Sequence, residues 1–173
     1  MTKNLMGLKL APVLQLAYVT TNMDSACRAM DSKFGIRRFW RTGVRVIPLD
    51  AGGEITIEVA LAWVGAMMVE VIQPLGGDVA VYRDWLAGWG SGLRFHHVGV
   101  RLYCEEEWQD AIDQCGQQGL KILFSITGAA SKVFYVDTRD AIGHYLEYLY
   151  YFDVPNSSLP RIPQNMPDFE SVY

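Results

Sequence analysis

The sequence has little of what several protein classes depend on. Its 173 residues hold three cysteines, Cys27, Cys104 and Cys115, and no CxxC pair. That argues against a disulfide scaffold and fits reduced thiols. Cys27 and Cys115 fall on apolar helix positions, where packing is the expected role. Positive charge is also short: 15 Lys and Arg against 19 Asp and Glu leave a formal net charge of −4, so the clustered basic footprint of a nucleic-acid binder is missing. The one basic cluster, Arg37, Arg38, Arg41 and Arg45, reads as a solvated strand face, with a phosphate or carboxylate contact as the sharper alternative. No apolar run approaches the roughly 18 residues of a membrane helix, and the first six residues hold no long apolar block with a small-residue cleavage site. The expectation is a cytoplasmic protein with neither a membrane nor a nucleic-acid partner.

What is present is an ordinary soluble composition, 50% hydrophobic and 20% charged, in a chain long enough for two small modules sharing a core. The pattern β, α, β, β, β is written twice. Val13 to Thr20 has the β-branched and apolar content of a strand. Asn22 then supplies a helix cap, Met23, Ala26, Cys27, Met30 and Phe34 recur at helical spacing, and Gly35 ends the helix. Strands are predicted at Phe39 to Ile47, Ile55 to Trp63 and Ala66 to Ile72. The second copy has strands at Phe95 to Leu102, Lys121 to Ile126, Val133 to Asp137 and His144 to Tyr151, and a helix striped by Trp108, Ala111, Ile112 and Cys115 with Glu105, Glu106 and Glu107 in its first turn. The predicted organisation is an N-terminal segment 1–12, a first module 13–75, a linker 76–92 with a short helix near Ala80 to Ala87, a second module 93–152 and an irregular tail 153–173 that lies along a partner subunit. The fold class is α+β, two βαβββ modules whose sheets curl around a shared metal-binding cleft.

The first and last strand of each copy carries a potential ligand: Gln15 and Glu70, then His97 and Glu147, separated by 70 − 15 = 55 and 147 − 97 = 50 positions. Strand alternation puts Val13, Ala17 and Val19 with Gln15, Met68 and Ile72 with Glu70, Phe95 and Gly99 with His97, and Tyr145 and Leu149 with Glu147. Each donor stands alone in an apolar row, and a carboxylate on a buried face costs several kcal/mol unless it is paired or bound to a cation. The same parity turns His96 and His144 to the opposite face, as structural or surface groups.

The stretches Gln15-Leu16-Ala17-Tyr18-Val19, Asn22-Met23-Asp24-Ser25-Ala26, Val69-Glu70-Val71-Ile72-Gln73-Pro74, Gly92 to Val100 and Gly143-His144-Tyr145-Leu146-Glu147 resemble the vicinal oxygen chelate superfamily, which includes glyoxalase I, methylmalonyl-CoA epimerase, extradiol dioxygenases and bleomycin-resistance proteins. The likeness runs from about Val13 to Tyr151. It implies one metal site on Gln15, Glu70, His97 and Glu147, holding a divalent ion such as Zn, Ni, Co, Mn or Fe. The double-His strand looks like the epimerase branch, while the order Gln, Glu, His, Glu is similar to glyoxalase I. A dioxygenase wants two His and one Glu around iron, and one position here is His. From epimerase-like members a second acid or base carries over to Glu54, 70 − 54 = 16 positions before Glu70, with Gly65 matching a turn glycine and Glu58 as the alternative.

The implied activity is a metal-dependent isomerase, epimerase or lyase that enolises a carbonyl or thioester, with Glu147 and Glu54 moving the proton. Substrate contacts are expected from Arg101, which shares the parity of His97 and suits a carboxylate, and from Phe95, Tyr145 and Met68. A homodimer is the expected assembly. The competing class is a metal-free protein of the resistance type that binds a drug or metabolite in the same cleft.

Overall fold

The computed structural model describes residues 8–10, 12–90, 92–153 and 161–166. The parts of the expected N-terminal segment at residues 1–7 and 11, of the linker at Ser91, and of the tail at residues 154–160 and 167–173 lie outside the described residues. Among these residues eight strands form one sheet: β1 (Val13–Thr20), β2 (Trp40–Pro48), β3 (Glu54–Val64), β4 (Met67–Gly77), β5 (Leu93–Leu102), β6 (Ile122–Thr127), β7 (Ser131–Val136) and β8 (Tyr145–Tyr151), in the spatial order β2-β3-β4-β1-β5-β8-β7-β6. Among the described residues four helices accompany them: α1 (Met23–Phe34), α2 (Ala80–Leu86), α3 (Glu105–Gln117) and α4 (Arg139–Ile142). The run β1-α1-β2-β3-β4 repeats as β5-α3-β6-β7-β8, so the α+β architecture of two βαβββ modules is the observed one.

Local chemistry sets the helix ends. Asn22 accepts the Ser25 N–H at 2.8 Å, and Gly35 closes α1 in the left-handed region at φ 71°, which only glycine enters without strain. The apolar stripe of α1 (Met23, Ala26, Met30) packs on Ala60, Ala62, Val69 and Val71 of the first module. That of α3 (Trp108, Ala111, Cys115) packs on Val100, Phe134, Leu146 and Tyr148 of the second. Both helices therefore cover the outer face and leave the inner face to the cleft.

The modules meet where β1 pairs antiparallel with β5, flanked by the parallel pairs β1·β4 and β5·β8. The register is two-fold about this seam: Gln15 faces Gly99 while Ala17 faces His97, and Ala17 pairs with Glu70 as Gly99 pairs with Glu147. All four donors come to the centre of the sheet. Its far ends curl toward each other and are clasped: the Asp50 N–H donates to the Ser125 carbonyl at 3.0 Å, and the Asp50 carboxylate accepts from Thr127 N at 2.9 Å and Oγ1 at 3.1 Å.

The described part of the tail packs on its own chain, with Trp63 N–H donating to Pro163 O at 2.9 Å and Asn165 N–H to Trp63 O at 2.8 Å, because the edge at the β3–β4 turn has free backbone groups to pair. Arg37, Arg38, Arg41 and Arg45 are all exposed, in keeping with a solvated face; Arg41 bridges Asp24 at 2.6 Å and Glu58 at 2.7 Å, and Arg37 lies 3.5 Å from Asp31.

Candidate metal centre

Gln15 (β1), Glu70 (β4), His97 (β5) and Glu147 (β8) point to one spot on the inner face. Gln15 Nε2 donates to Glu70 Oε2 at 3.0 Å and to Glu147 Oε2 at 2.6 Å, and lies 3.3 Å from His97 Nε2. His97 Nε2 is 3.4 Å from Glu70 Oε2 and 3.3 Å from Glu147 Oε2. Gln15, His97 and Glu147 are buried, and Glu70 keeps 13% of its side chain open to the cleft. Room for the Gln15 side chain comes from Gly99, where a Cβ would stand 2.3 Å from Gln15 Cγ.

Burial raises the Glu70 carboxyl above its ordinary range; the hydrogen bond to His97 opposes this, and the nearby Glu147 charge adds to it. Burial alone lowers His97, but the two carboxylates outweigh it and push the imidazole from 6.5 up to about 9. Near neutral pH a single imidazolium thus stands between two carboxyl groups. Two carboxylate oxygens, an imidazole nitrogen and an amide that presents Oε1 after a half-turn suit a divalent transition ion. The donor set fits the metal that the resemblance implies.

These directions fix a pH dependence. Both groups have folded values above their unfolded ones, so their contribution to stability is complete below the unfolded values and disappears as pH rises through the folded ones. For His97 the window is 6.5 to about 9, worth on the order of 3 kcal/mol. The melting temperature of metal-free protein is expected to fall between pH 6.5 and 9.5, as read by calorimetry. A rise over that range would contradict the assignment of the proton to this cluster.

Beside the donors lies a cavity of about 190 Å³, lined by Glu70, Glu147, Tyr82 and Tyr135 and by apolar side chains including Ile47, Ile55, Ile57, Val59, Ile72, Ile126 and Val133. Tyr135 is the cross-strand neighbour of Glu147. Burial first, then the Glu147 charge, holds its phenol well above the ordinary tyrosine value, so it stays protonated.

The other expected site residues divide. Tyr145 and Met68 are on the inner face but outside the cavity lining: Tyr145 stacks at 4.7 Å on His96, and Met68 packs with Leu14 and Leu149. Arg101 lies farther along β5, its guanidinium 5.0 Å from the Tyr103 ring and 5.6 Å from the Tyr151 ring, with Nε buried and unpaired among the described residues. Phe95 does not accompany His97. The β1·β5 register slips between Ala17/His97 and Tyr18/Phe95, making His96 an extra residue in a bulge. Phe95 is thereby turned to the outer face, against Tyr18 at 5.6 Å and His144 at 5.3 Å, while His96 turns inward beside His97 instead of outward.

Glu54 and Glu58 also miss the cleft. On β3 the odd residues Ile55, Ile57 and Val59 line the cavity, so the even ones face out; Glu54 is exposed, and Glu58 pairs with Arg41. Counting sixteen positions from Glu70 fixes a strand but not a face. Sequence reasoning missed Tyr82, Tyr135 and the space-making role of Gly99. For Gly99 the signal was present, since glycine inside a strand marks a close approach.

No protein-family model matches the sequence, and a search of curated proteins finds no match. Solved structures do match. Methylmalonyl-CoA epimerase from Mycobacterium tuberculosis superposes with a TM-score of 0.56 at 15% identity, covering 84% of this chain and 90% of that one. A variant methylmalonyl-CoA epimerase of Streptomyces coelicolor in complex with 2-nitronate-propionyl-CoA gives 0.55 at 17% identity, covering 86% and 99%. A hypothetical protein from Bacillus halodurans gives 0.56 at 16%, covering 84% and 97%. At these identities the likeness establishes architecture, and the chain has the vicinal oxygen chelate fold seen in the methylmalonyl-CoA epimerases.

Proposed function

We propose that the protein is a divalent-metal-dependent isomerase or epimerase that enolises a small carbonyl compound or thioester. The observation that carries the reading is the convergence of Gln15, Glu70, His97 and Glu147 on one point beside an apolar cavity. A bound ion supplies Lewis acidity, which polarises a carbonyl and acidifies the neighbouring C–H. Glu147 takes that proton and returns it. Because Glu54 and Glu58 face outward, Glu70 and Glu147 are the carboxyl groups of the cavity, and we assign the transfer to Glu147, which has the protonated Tyr135 as its cross-strand neighbour. A single carboxylate serving both steps favours return of the proton on the face it left, which suits a shift to the adjacent carbon. Inversion at the same carbon needs a second group, and Glu70, at the equivalent position of the other module, is the cavity residue to provide it.

The cavity of about 190 Å³ is below the roughly 300–1,000 Å³ of drug-sized sites. It accepts a short apolar acyl group and leaves any bulky carrier outside. Arg101, whose Nε has no partner among the described residues, suits a substrate carboxylate. Since an epimerase of this fold holds 2-nitronate-propionyl-CoA, short acyl thioesters are the first class to try, followed by 2-oxo compounds.

One observation favours the competing reading of a metal-free binding protein: Gln15 Nε2 donates to both carboxylates and the imidazolium offsets part of their charge. Metal analysis separates the two. Protein purified without chelator is expected to carry roughly one ion per chain and to exchange the substrate C–H for deuterium in D2O. Protein that lacks metal, gains no thermal stability from Zn, Mn, Co or Ni salts and exchanges no deuterium would sink the proposal.

A further inference from the structure

His96 is the residue whose place the sequence misjudged, and the bulge gives it a use. Its Nδ1 lies 2.9 Å from Nδ1 of His97, and its Nε2 lies 3.2 Å from the carbonyl oxygen of Val81 in α2. A carbonyl only accepts, so the His96 proton is on Nε2. Two cationic rings do not sit with their nitrogens 2.9 Å apart, and a neutral ring protonated at Nε2 has a bare Nδ1. That nitrogen accepts, which makes His97 Nδ1 the donor and leaves His97 Nε2 aimed at Glu70 and Glu147.

The bulge is held from the same side. Trp85 Nε1, also on α2, donates to the Phe95 carbonyl at 2.8 Å, and the His96 ring is packed between Tyr82 and Tyr145, at 5.1 and 4.7 Å. A seven-residue helix in the linker therefore fixes both the backbone and the ring that orient His97. We infer that His96 is a positioning residue for the metal centre: a relay from the Val81 carbonyl through His96 locks the His97 tautomer and presents its Nε2 to the ion. This rests on the metal-dependent reading above.

Two replacements of similar polarity separate orientation from packing. In His96→Asn the side-chain oxygen stands near the place of Nδ1 and keeps an acceptor for His97. In His96→Gln the amide reaches the place of Nε2 and keeps a donor for Val81 while leaving His97 Nδ1–H without its acceptor. Zinc and cobalt affinities are measured by chelator competition on the full chain, with folding of each variant checked by circular dichroism. The expected result is an affinity for His96→Asn close to wild type and a loss of about 10–100-fold for His96→Gln. Nitrogen-15 spectra of the metal-loaded wild type should show His97 protonated at Nδ1, and this signal should be lost in His96→Gln. Equal affinities for the two variants, or a wild-type His97 protonated at Nε2, would overturn the inference while leaving the metal-dependent reading intact. A wild-type chain that binds neither ion would remove that reading itself, and the inference with it.

Discussion

Glu147→Gln is expected to lower turnover on an enolisable substrate by about 10²–10⁴-fold, the usual contribution of a positioned general base. The amide keeps the shape of the side chain, so the loss isolates the proton-accepting oxygen. Glu70→Gln is the informative comparison, because Glu70 sits in the same cluster at the equivalent position of the other module but has Leu61, not a tyrosine, as its cross-strand neighbour on β3. Glu70→Gln should weaken metal binding and regain much of its rate at saturating metal; Glu147→Gln should stay slow when fully loaded. Deuterium exchange into the substrate, followed by NMR at matched metal occupancy, reads the difference. If loaded Glu147→Gln exchanges within about tenfold of wild type, the base is elsewhere and Glu70, the other carboxyl group of the cavity, becomes the group to test. The same variant also leaves His97 with one carboxylate, so its alkaline loss of stability should shrink.

Gly99→Ala carries the second large effect, on assembly of the site. A methyl group there would lie 2.3 Å from Gln15 Cγ, 2.9 Å from Gln15 Cδ and 2.9 Å from Leu149 Cδ1. Gln15 cannot withdraw without giving up its contacts to Glu70 and Glu147, and Leu149 is packed with Leu14 and Met68. Overpacking of this kind costs typically about 1–3 kcal/mol, and displacement of the amide should reduce metal affinity as well. Gly116→Ala in α3 is the control, since nothing lies within 4 Å of its added methyl; there the helix should gain about 0.5–1 kcal/mol. Urea unfolding of both variants decides: if Gly99→Ala stabilises the protein as Gly116→Ala does, Gly99 is not making room for Gln15.

Duplication and alternation made a good part of this molecule legible in its sequence. A period-two pattern places Met68 with Glu70 and Tyr145 with Glu147 on one face, as long as the strand is regular. It fails on β5, where one extra residue reverses every side chain before it, so that Phe95 goes out and His96 comes in. Nothing in the composition of Phe95-His96-His97 announces that bulge; what fixes it is Trp85 and Val81, which reach it from a helix ten to fifteen residues away in sequence. Glu54 failed for a different reason. A residue carried over by distance along the chain inherits no face, and on β3 the face that lines the cavity is aliphatic. The closure of the cleft by Asp50 and Thr127, 77 positions apart, is a tertiary event that local pattern does not encode.

The four donors sit on β4, β1, β5 and β8, the middle of the sheet, and Glu147 is on the last strand among the described residues. A chain still being synthesised holds Gln15, Glu70 and His97 before it has the residue that closes the set. The two-fold seam cannot align them until β8 has paired with β5 and β7. An ion held by all four donors would therefore be enclosed only after translation has passed Tyr151.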